Sequence, residues 1–285
     1  MNLKKVTILL LILINITNAQ SLLFKGEIGE FESASAFTLT PGGKFFITDV
    51  AKNEIVSVDT LDNNFLSIGG YGWNSSTFDE PIDIFATDLR VYVTDKNNNR
   101  IQVFDKYLNY LFLIKTNQQT IDINNFQYPT SCESSIQGDI YILDSDNTRI
   151  MKFNSEGNFL LEFGNYDSGD FMLSSPLKLS LSQDSKIFVL DENKLAVFDQ
   201  YGMGLLKLNS RTEPENINIT FNNLIVNTPD SLFYLNLQNP NNKFVNITPN
   251  DLDEEVKIIE GIIFNRNLYI LTETNILHYL ILTGE

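Results

Sequence analysis

Four aspartates recur along the chain at nearly constant intervals: Asp49, Asp95, Asp144 and Asp191. A ring of carboxylates is what a hard divalent cation would use, because such ions take oxygen ligands. The same residue type also closes turns by accepting backbone N–H groups. Repetition favours turn closure, since a site is a constellation of unlike residues and not a periodic copy. Arg100 and Arg149 each stand two residues after an asparagine, Asn98 and Asn147. A guanidinium there suits an anionic ligand or, more simply, the neighbouring aspartate. The one histidine, His278, lies in the apolar run Ile276 to Ile281, and the one cysteine, Cys132, is remote from it. A lone histidine cannot build a multi-histidine zinc centre. No Gly-X-Ser-X-Gly motif occurs, and any serine triad would have to run through His278. No catalytic residue and no metal ligand is assigned. The residues suited to binding are aromatic: Tyr71 and the sole tryptophan, Trp73, in Gly69-Gly70-Tyr71-Gly72-Trp73, and Tyr166 in the matching segment Gly164-Asn165-Tyr166-Asp167.

The elements that position these residues are strands. Phe46-Ile47-Thr48-Asp49, Tyr92-Val93-Thr94-Asp95, Tyr141-Ile142-Leu143-Asp144 and Phe188-Val189-Leu190-Asp191 repeat one phrase. Each is followed by a polar turn and a second run, such as Ile101-Gln102-Val103-Phe104-Asp105 or Ile150-Met151-Lys152-Phe153-Asn154. Three are followed by a further run, at Asn64-Phe65-Leu66, Tyr110-Leu111-Phe112 and Asn158-Phe159-Leu160. Short runs rich in Ile, Val, Phe and Tyr between Asn, Asp and Gly form strands. No helical period is sustained. Four strands in each unit of about 45–50 residues is the arithmetic of a propeller blade.

The motif itself resembles the NHL repeat. Phe78-Asp79-Glu80-Pro81-Ile82-Asp83-Ile84, Val91-Tyr92-Val93-Thr94-Asp95 and Asn98-Asn99-Arg100-Ile101-Gln102-Val103-Phe104-Asp105 carry the resemblance, and Phe126-Gln127-Tyr128-Pro129 through Asn147-Thr148-Arg149-Ile150 repeats it. The first unit has Lys52-Asn53-Glu54 in place of Asn-X-Arg, the fourth is shortened, and beyond Arg211 only strand patterning persists. A fifth unit fits Asn216 to Ile247. A sixth begins near Val256 and has room for only three strands. Leu22 to Gly29 resembles the outermost strand Leu160 to Gly164, so it is expected to complete the last blade and close the ring. Closure removes an exposed strand edge. The expectation is an all-β, six-bladed β-propeller spanning residues 20–285. Phe78, Phe126 and Phe171 are expected between blades, each worth about 1.5–3 kcal/mol in burial. Tyr71, Trp73 and Tyr166 fall on loops joining consecutive blades, where partners dock; Trp73 folded inward between blades is the competing expectation. The resemblance also implies two enzyme alternatives: lyases with metal-binding histidines, and calcium-dependent lactonases.

Bulk properties narrow the function. The chain has 285 residues, 43% apolar and 12% aromatic, and a formal charge of −16. Such a surface repels phosphate backbones and anionic lipid, which disfavours nucleic-acid and membrane-surface binding. One cysteine excludes an internal disulfide. Lys4-Lys5, the apolar run Val6 to Ile14 and small residues up to Ala19 read as an export signal over residues 1–19, cleaved before Gln20. That run is too short to span a bilayer, so no transmembrane segment is expected in the mature chain. Removing both lysines takes the charge to about −18. Asn-X-Ser/Thr sequons stand at Asn74, Asn218 and Asn246. The sequence therefore reads as an exported binding or scaffold module for a protein, peptide or glycan, needing no cofactor, whether alone or in an envelope assembly. The alternative is a metal-dependent, lactonase-like hydrolase or lyase with carboxylates at the central channel, for which calcium would be the cofactor.

Overall fold

Alternation of apolar residues, broken by Asn, Asp and Gly turns, builds 24 strands in the computed structural model, which describes residues 21–60, 65–115, 125–210, 212–239 and 243–282. The expected export signal, Asn64 and Arg211 lie outside the described residues. The first strand, β1 (Ser21–Ile28), stands apart from the blade that follows it. Blade one comprises β2 (Ala34–Leu39), β3 (Lys44–Asp49), β4 (Glu54–Asp59) and β5 (Leu66–Gly69). Blade two has β6 (Pro81–Ala86), β7 (Arg90–Asp95), β8 (Arg100–Asp105) and β9 (Tyr110–Lys115). Blade three has β10 (Ser131–Ser134), β11 (Ile140–Asp144), β12 (Arg149–Phe153) and β13 (Phe159–Phe163). Blade four has β14 (Pro176–Leu181), β15 (Ile187–Asp191), β16 (Lys194–Phe198) and β17 (Gly204–Asn209). Blade five has β18 (Asn216–Thr220), β19 (Asn223–Asn227), β20 (Leu232–Asn236) and β21 (Val245–Asn246). The last three strands are β22 (Glu260–Phe264), β23 (Asn267–Leu271) and β24 (Ile276–Leu282). Each blade is an antiparallel meander of four strands.

The sixth sheet runs β1-β24-β23-β22, so the first of the described strands is its outermost one. The pairing extends from Ser21 opposite Leu282 to Ile28 opposite Ile276, with a register shift between Phe24 and Gly26. The ring is closed by the strand that the repeat comparison singled out, and it has six blades.

The core is divided among the blade junctions. Phe37, Phe45 and Val56 of blade one pack with Ile262, Tyr269 and Ile276 of blade six. Phe46 and Ile55 meet Ile84, Val93 and Phe104 of blade two. The remaining four junctions follow the same rule. Each blade is a wedge whose two faces are both apolar, so no blade can bury its surface alone. Phe31, Phe78 and Phe126 are buried where the chain enters blades one, two and three. At blade four the buried residue is Leu173, whereas Phe171 is half-buried and packs edge-on against Phe198. Leu173 stands three residues before β14, as Phe78 stands three before β6, so register moves the plug two residues beyond the phenylalanine expected to fill it.

Candidate functional site

The repeated aspartates are turn closers, and they act across the blade more than within their own turn. Asp95 accepts the Asp79 N–H at 2.8 Å, Asp144 that of Gln127 at 3.0 Å, and Asp49 those of Glu32 and Ser33. Asp191 receives the N–H groups of Ser174 and Ser175. Each carboxylate thus ties the end of a blade's second strand to the loop that entered that blade. Asn98 and Asn147 donate to the same carboxylates. Arg100 Nε meets Asp95 at 2.6 Å and Arg149 Nε meets Asp144 at 2.8 Å, so both arginines form internal pairs.

These clamps build the loop face. After closing on Asp95, Arg100 donates to the carbonyls of Trp73 (2.6 Å), Asn74 (3.1 Å) and Thr77 (2.8 Å). Asn98 reaches the Gly72 carbonyl, and Gln102 binds Thr77 O and the Ser76 N–H. The loop backbone is therefore held by buried side chains, while its two large rings point outward. Tyr71 is 63% exposed and Trp73 71% exposed, edge to face at 5.7 Å. Trp73 does not fold between the blades. Tyr166 is 79% exposed at the start of a short 3-10 turn (Tyr166–Phe171) capped by the Asn165 side chain. It shares the face with Tyr71 and Trp73 but lies two junctions away, and no contact joins them. Between them stands Tyr128, 47% exposed, whose N–H is held by Asn99 Oδ1 at 2.7 Å. Tyr128 was legible as part of the repeat, yet its packing motif hid its exposure. Exposed aromatics thus span three consecutive blade junctions. Asn74 is exposed at the same loop and Asn246 is exposed on blade five, whereas Asn218 turns into the channel.

The channel holds the second group of residues. Inner strands β6, β10, β14, β18 and β22 bring Asp83, Glu133, Lys178, Asn218 and Glu260 to its lining. Register shifts directly precede Asp83 and Lys178, between Pro81 and Asp83 and between Pro176 and Lys178. Such bulges re-aim the side chains that follow them. Lys178 Nζ lies 2.5 Å from Asp83 Oδ1 and 3.7 Å from Glu260 Oε1. Asp83 also accepts the Cys132 N–H, and Glu260 accepts the Phe37 N–H and the Asn218 amide. Glu133 takes the Ser180 hydroxyl at 2.7 Å and the Leu181 N–H at 2.9 Å. Burial pushes Glu133 up to about 8 and raises Glu260, while the surrounding carboxylates outweigh burial and raise Lys178. The channel cluster went unassigned at the sequence level, although Leu177-Lys178-Leu179 and Ile259-Glu260-Gly261 carried its signal: a charge interrupting an apolar inner strand.

Among the described residues no group of three or more His, Cys, Asp or Glu side chains has metal-binding geometry, and an ammonium already sits between two of the channel carboxylates. His278 is on blade six, bonded to Asn267 Oδ1 at 2.8 Å and stacked on Tyr269; burial, with Lys25 adding to it, lowers its pKa. Burial, reinforced by Asp83 and Glu133, raises the Cys132 thiol well above its ordinary range, so it is an inert core residue.

An NHL repeat family model matches residues 78–104, which are β6, β7 and most of β8 with their entry loop. No curated protein matches the sequence at a significant level. Among solved structures, virginiamycin B lyase from Staphylococcus aureus superposes with a TM-score of 0.65 at 14% identity, over 92% of this chain and 100% of that one. A streptogramin B lyase gives 0.60 at 15% identity, over 94% and 90%. A chain of a nidogen/laminin complex gives 0.57 at 14% identity, over 73% and 77%. At such identities the likeness is one of fold. No helix among the described residues is long and apolar enough to cross a membrane. The repeat phrase, the clamped turns, the strand-closed ring and these superpositions converge on one description: the chain is a six-bladed β-propeller bearing an NHL repeat in its second blade.

Proposed function

We propose that the protein is a binding module that engages a protein, peptide or glycan through the aromatic arc on its inter-blade loops. The observation that carries this reading is the Tyr71–Trp73 pair. Two large rings stand in solvent on a backbone that Arg100, Asn98 and Gln102 hold in place. Exposed aromatics on rigid supports lose little entropy when a partner covers them, which is why such residues dominate binding energy. Tyr128 and Tyr166 extend the surface across two further junctions. The similar chain in the nidogen/laminin complex is part of a protein–protein assembly, which fits this use of the fold. A charge of −16 argues against nucleic acid as the partner. The positive, apolar, small-residue pattern of residues 1–19 supports an exported setting, where a scaffold in an envelope assembly would work.

The enzyme reading draws on the channel carboxylates and on the lyases that share the fold. It ranks second because the Lys178 ammonium stands between Asp83 and Glu260, in the position a metal ion bridging those two carboxylates would take.

The test is differential capture from the native envelope with the parent protein and a Tyr71→Ala/Trp73→Ala variant, alongside a glycan array. A partner or glycan retained by the parent and lost by the variant, with both melting alike, supports the proposal. Identical capture by both proteins, or lactone or peptide turnover by protein that captures nothing, refutes it.

A further inference from the structure

On the side away from the aromatic arc, the channel widens into a funnel of about 630 Å³. It opens among the turns joining the first and second strands of the blades, at Thr87–Leu89, Ser135–Gly138, Ser182–Gln183 and Phe221. Small-ligand sites typically enclose about 300–1,000 Å³, with apolar walls and a few convergent polar groups. Phe85, Leu89, Ile136, Ile219 and Phe221 supply the walls. Leu89 and Ile136 are among the most exposed apolar residues of the protein, and both stand at the mouth. The floor is the cluster of Asp83, Glu133, Lys178 and Glu260, in which three carboxylates face one ammonium. Lys178 serves Asp83 first and Glu260 at longer range. Glu133 is buried and hydrogen-bonded, but makes no ion pair among the described residues. With Asp83 offset by Lys178, Glu260 leaves the floor with an excess of negative charge even while Glu133 holds its proton. Low-dielectric walls focus such a field toward the mouth.

We propose that this funnel is a second binding site, independent of the aromatic arc, for a small organic cation: an ammonium or guanidinium head seated against Glu133 and Glu260, with an apolar body along the wall. An anion would meet repulsion at the floor, and a neutral ligand would leave the excess charge uncompensated. Each carboxylate oxygen that accepts one bond keeps a second lone pair for such a head. The raised pKa of Glu133 adds a signature. In the empty funnel this carboxyl holds a proton near neutrality, and an arriving cation displaces it.

Phenethylamine, 2-phenylethanol and 3-phenylpropanoate share a shape and differ in charge, so titration calorimetry with the three reads the floor directly. Saturable binding of the amine is expected, at least about tenfold tighter than the alcohol, with none for the carboxylate. Repeating the amine titration at pH 7 in buffers of different ionisation enthalpy should show proton release, absent in Glu133→Gln. A Leu89→Ala/Ile136→Ala variant, altered only at the exposed mouth, should weaken the amine and keep the proton release. Tyr71→Ala/Trp73→Ala should bind the amine like the parent, which separates failure here from failure of the loop-face proposal. No binding by any of the three compounds, equal binding of amine and alcohol, or amine affinity unchanged in both funnel variants would overturn the proposal.

Discussion

Replacing Arg100 with alanine tests how the aromatic loop is held. The guanidinium is buried, closes on Asp95 at 2.6 Å, and spends its other donors on the carbonyls of Trp73, Asn74 and Thr77. Asp95 is itself fully buried, and burial raises its pKa against the Asp79 N–H, Asn98 and Arg100, which lower it. Removing one member of a buried pair leaves the other uncompensated, at a cost of about 3–5 kcal/mol. For a chain of this size that corresponds to a fall in Tm of roughly 5–9 °C. Arg100→Lys should recover only part of the loss, because one ammonium cannot reach a carboxylate and three carbonyls together. The sign of the pH effect is also set. A carboxyl whose folded pKa is raised binds more protons folded than unfolded, so its contribution to stability is lost as pH rises through the folded value. Without Arg100 that value climbs further, and the Tm gap to the parent should narrow as pH falls from 7 to 5. Trp73, the only tryptophan, gives a local readout: its fluorescence anisotropy should fall in Arg100→Ala. A melt within about 2 °C of the parent, with unchanged Trp73 anisotropy, would refute the claim that this pair supports the loop.

Three further outcomes follow from the same structure. Between pH 4.5 and 8 the folded protein holds a proton on Glu133 that the unfolded chain releases, so stability should decline across that window. Glu133→Gln should flatten the decline by on the order of 2–4 kcal/mol, read from paired melts at pH 5 and 8. Gly69 has φ +144°, and a Cβ there would lie 2.4 Å from the Asn53 carbonyl oxygen; Gly69→Ala should cost about 2–4 kcal/mol in denaturant unfolding, whereas a loss below about 0.5 kcal/mol would contradict the close approach. Deleting residues 21–28 strips the outermost strand from blade six and bares the edge of β24; a loss of about 5 kcal/mol or more, with concentration-dependent aggregation, is expected in light scattering, and a monomer of unchanged Tm would contradict the closure.

Much of this architecture is local chemistry, and local chemistry is legible in order along the chain. Period-two alternation marks the strands, and Asp-plus-Asn turns mark where they reverse. The 46–49-residue spacing of Asp49, Asp95, Asp144 and Asp191 marks the blades. The Arg100–Asp95 and Arg149–Asp144 pairs were foreseeable because the partners are five residues apart across one turn. Even ring closure was legible, since Leu22 to Gly29 copies the outer-strand phrase of blade three. The orientation of Trp73 was not, because an indole in a loop can fill a junction or leave it. That outcome turned on Phe78 already plugging the junction and on Arg100 fixing the backbone. Nor was the channel cluster. Asp83, Glu133, Lys178 and Glu260 lie about 45–80 residues apart; Asp83, Lys178 and Glu260 each read alone as an odd charge beside apolar strand residues, and Glu133 as one polar residue among serines. Only radial packing of the inner strands sets them face to face, where burial and mutual attraction decide which carboxyl keeps its proton.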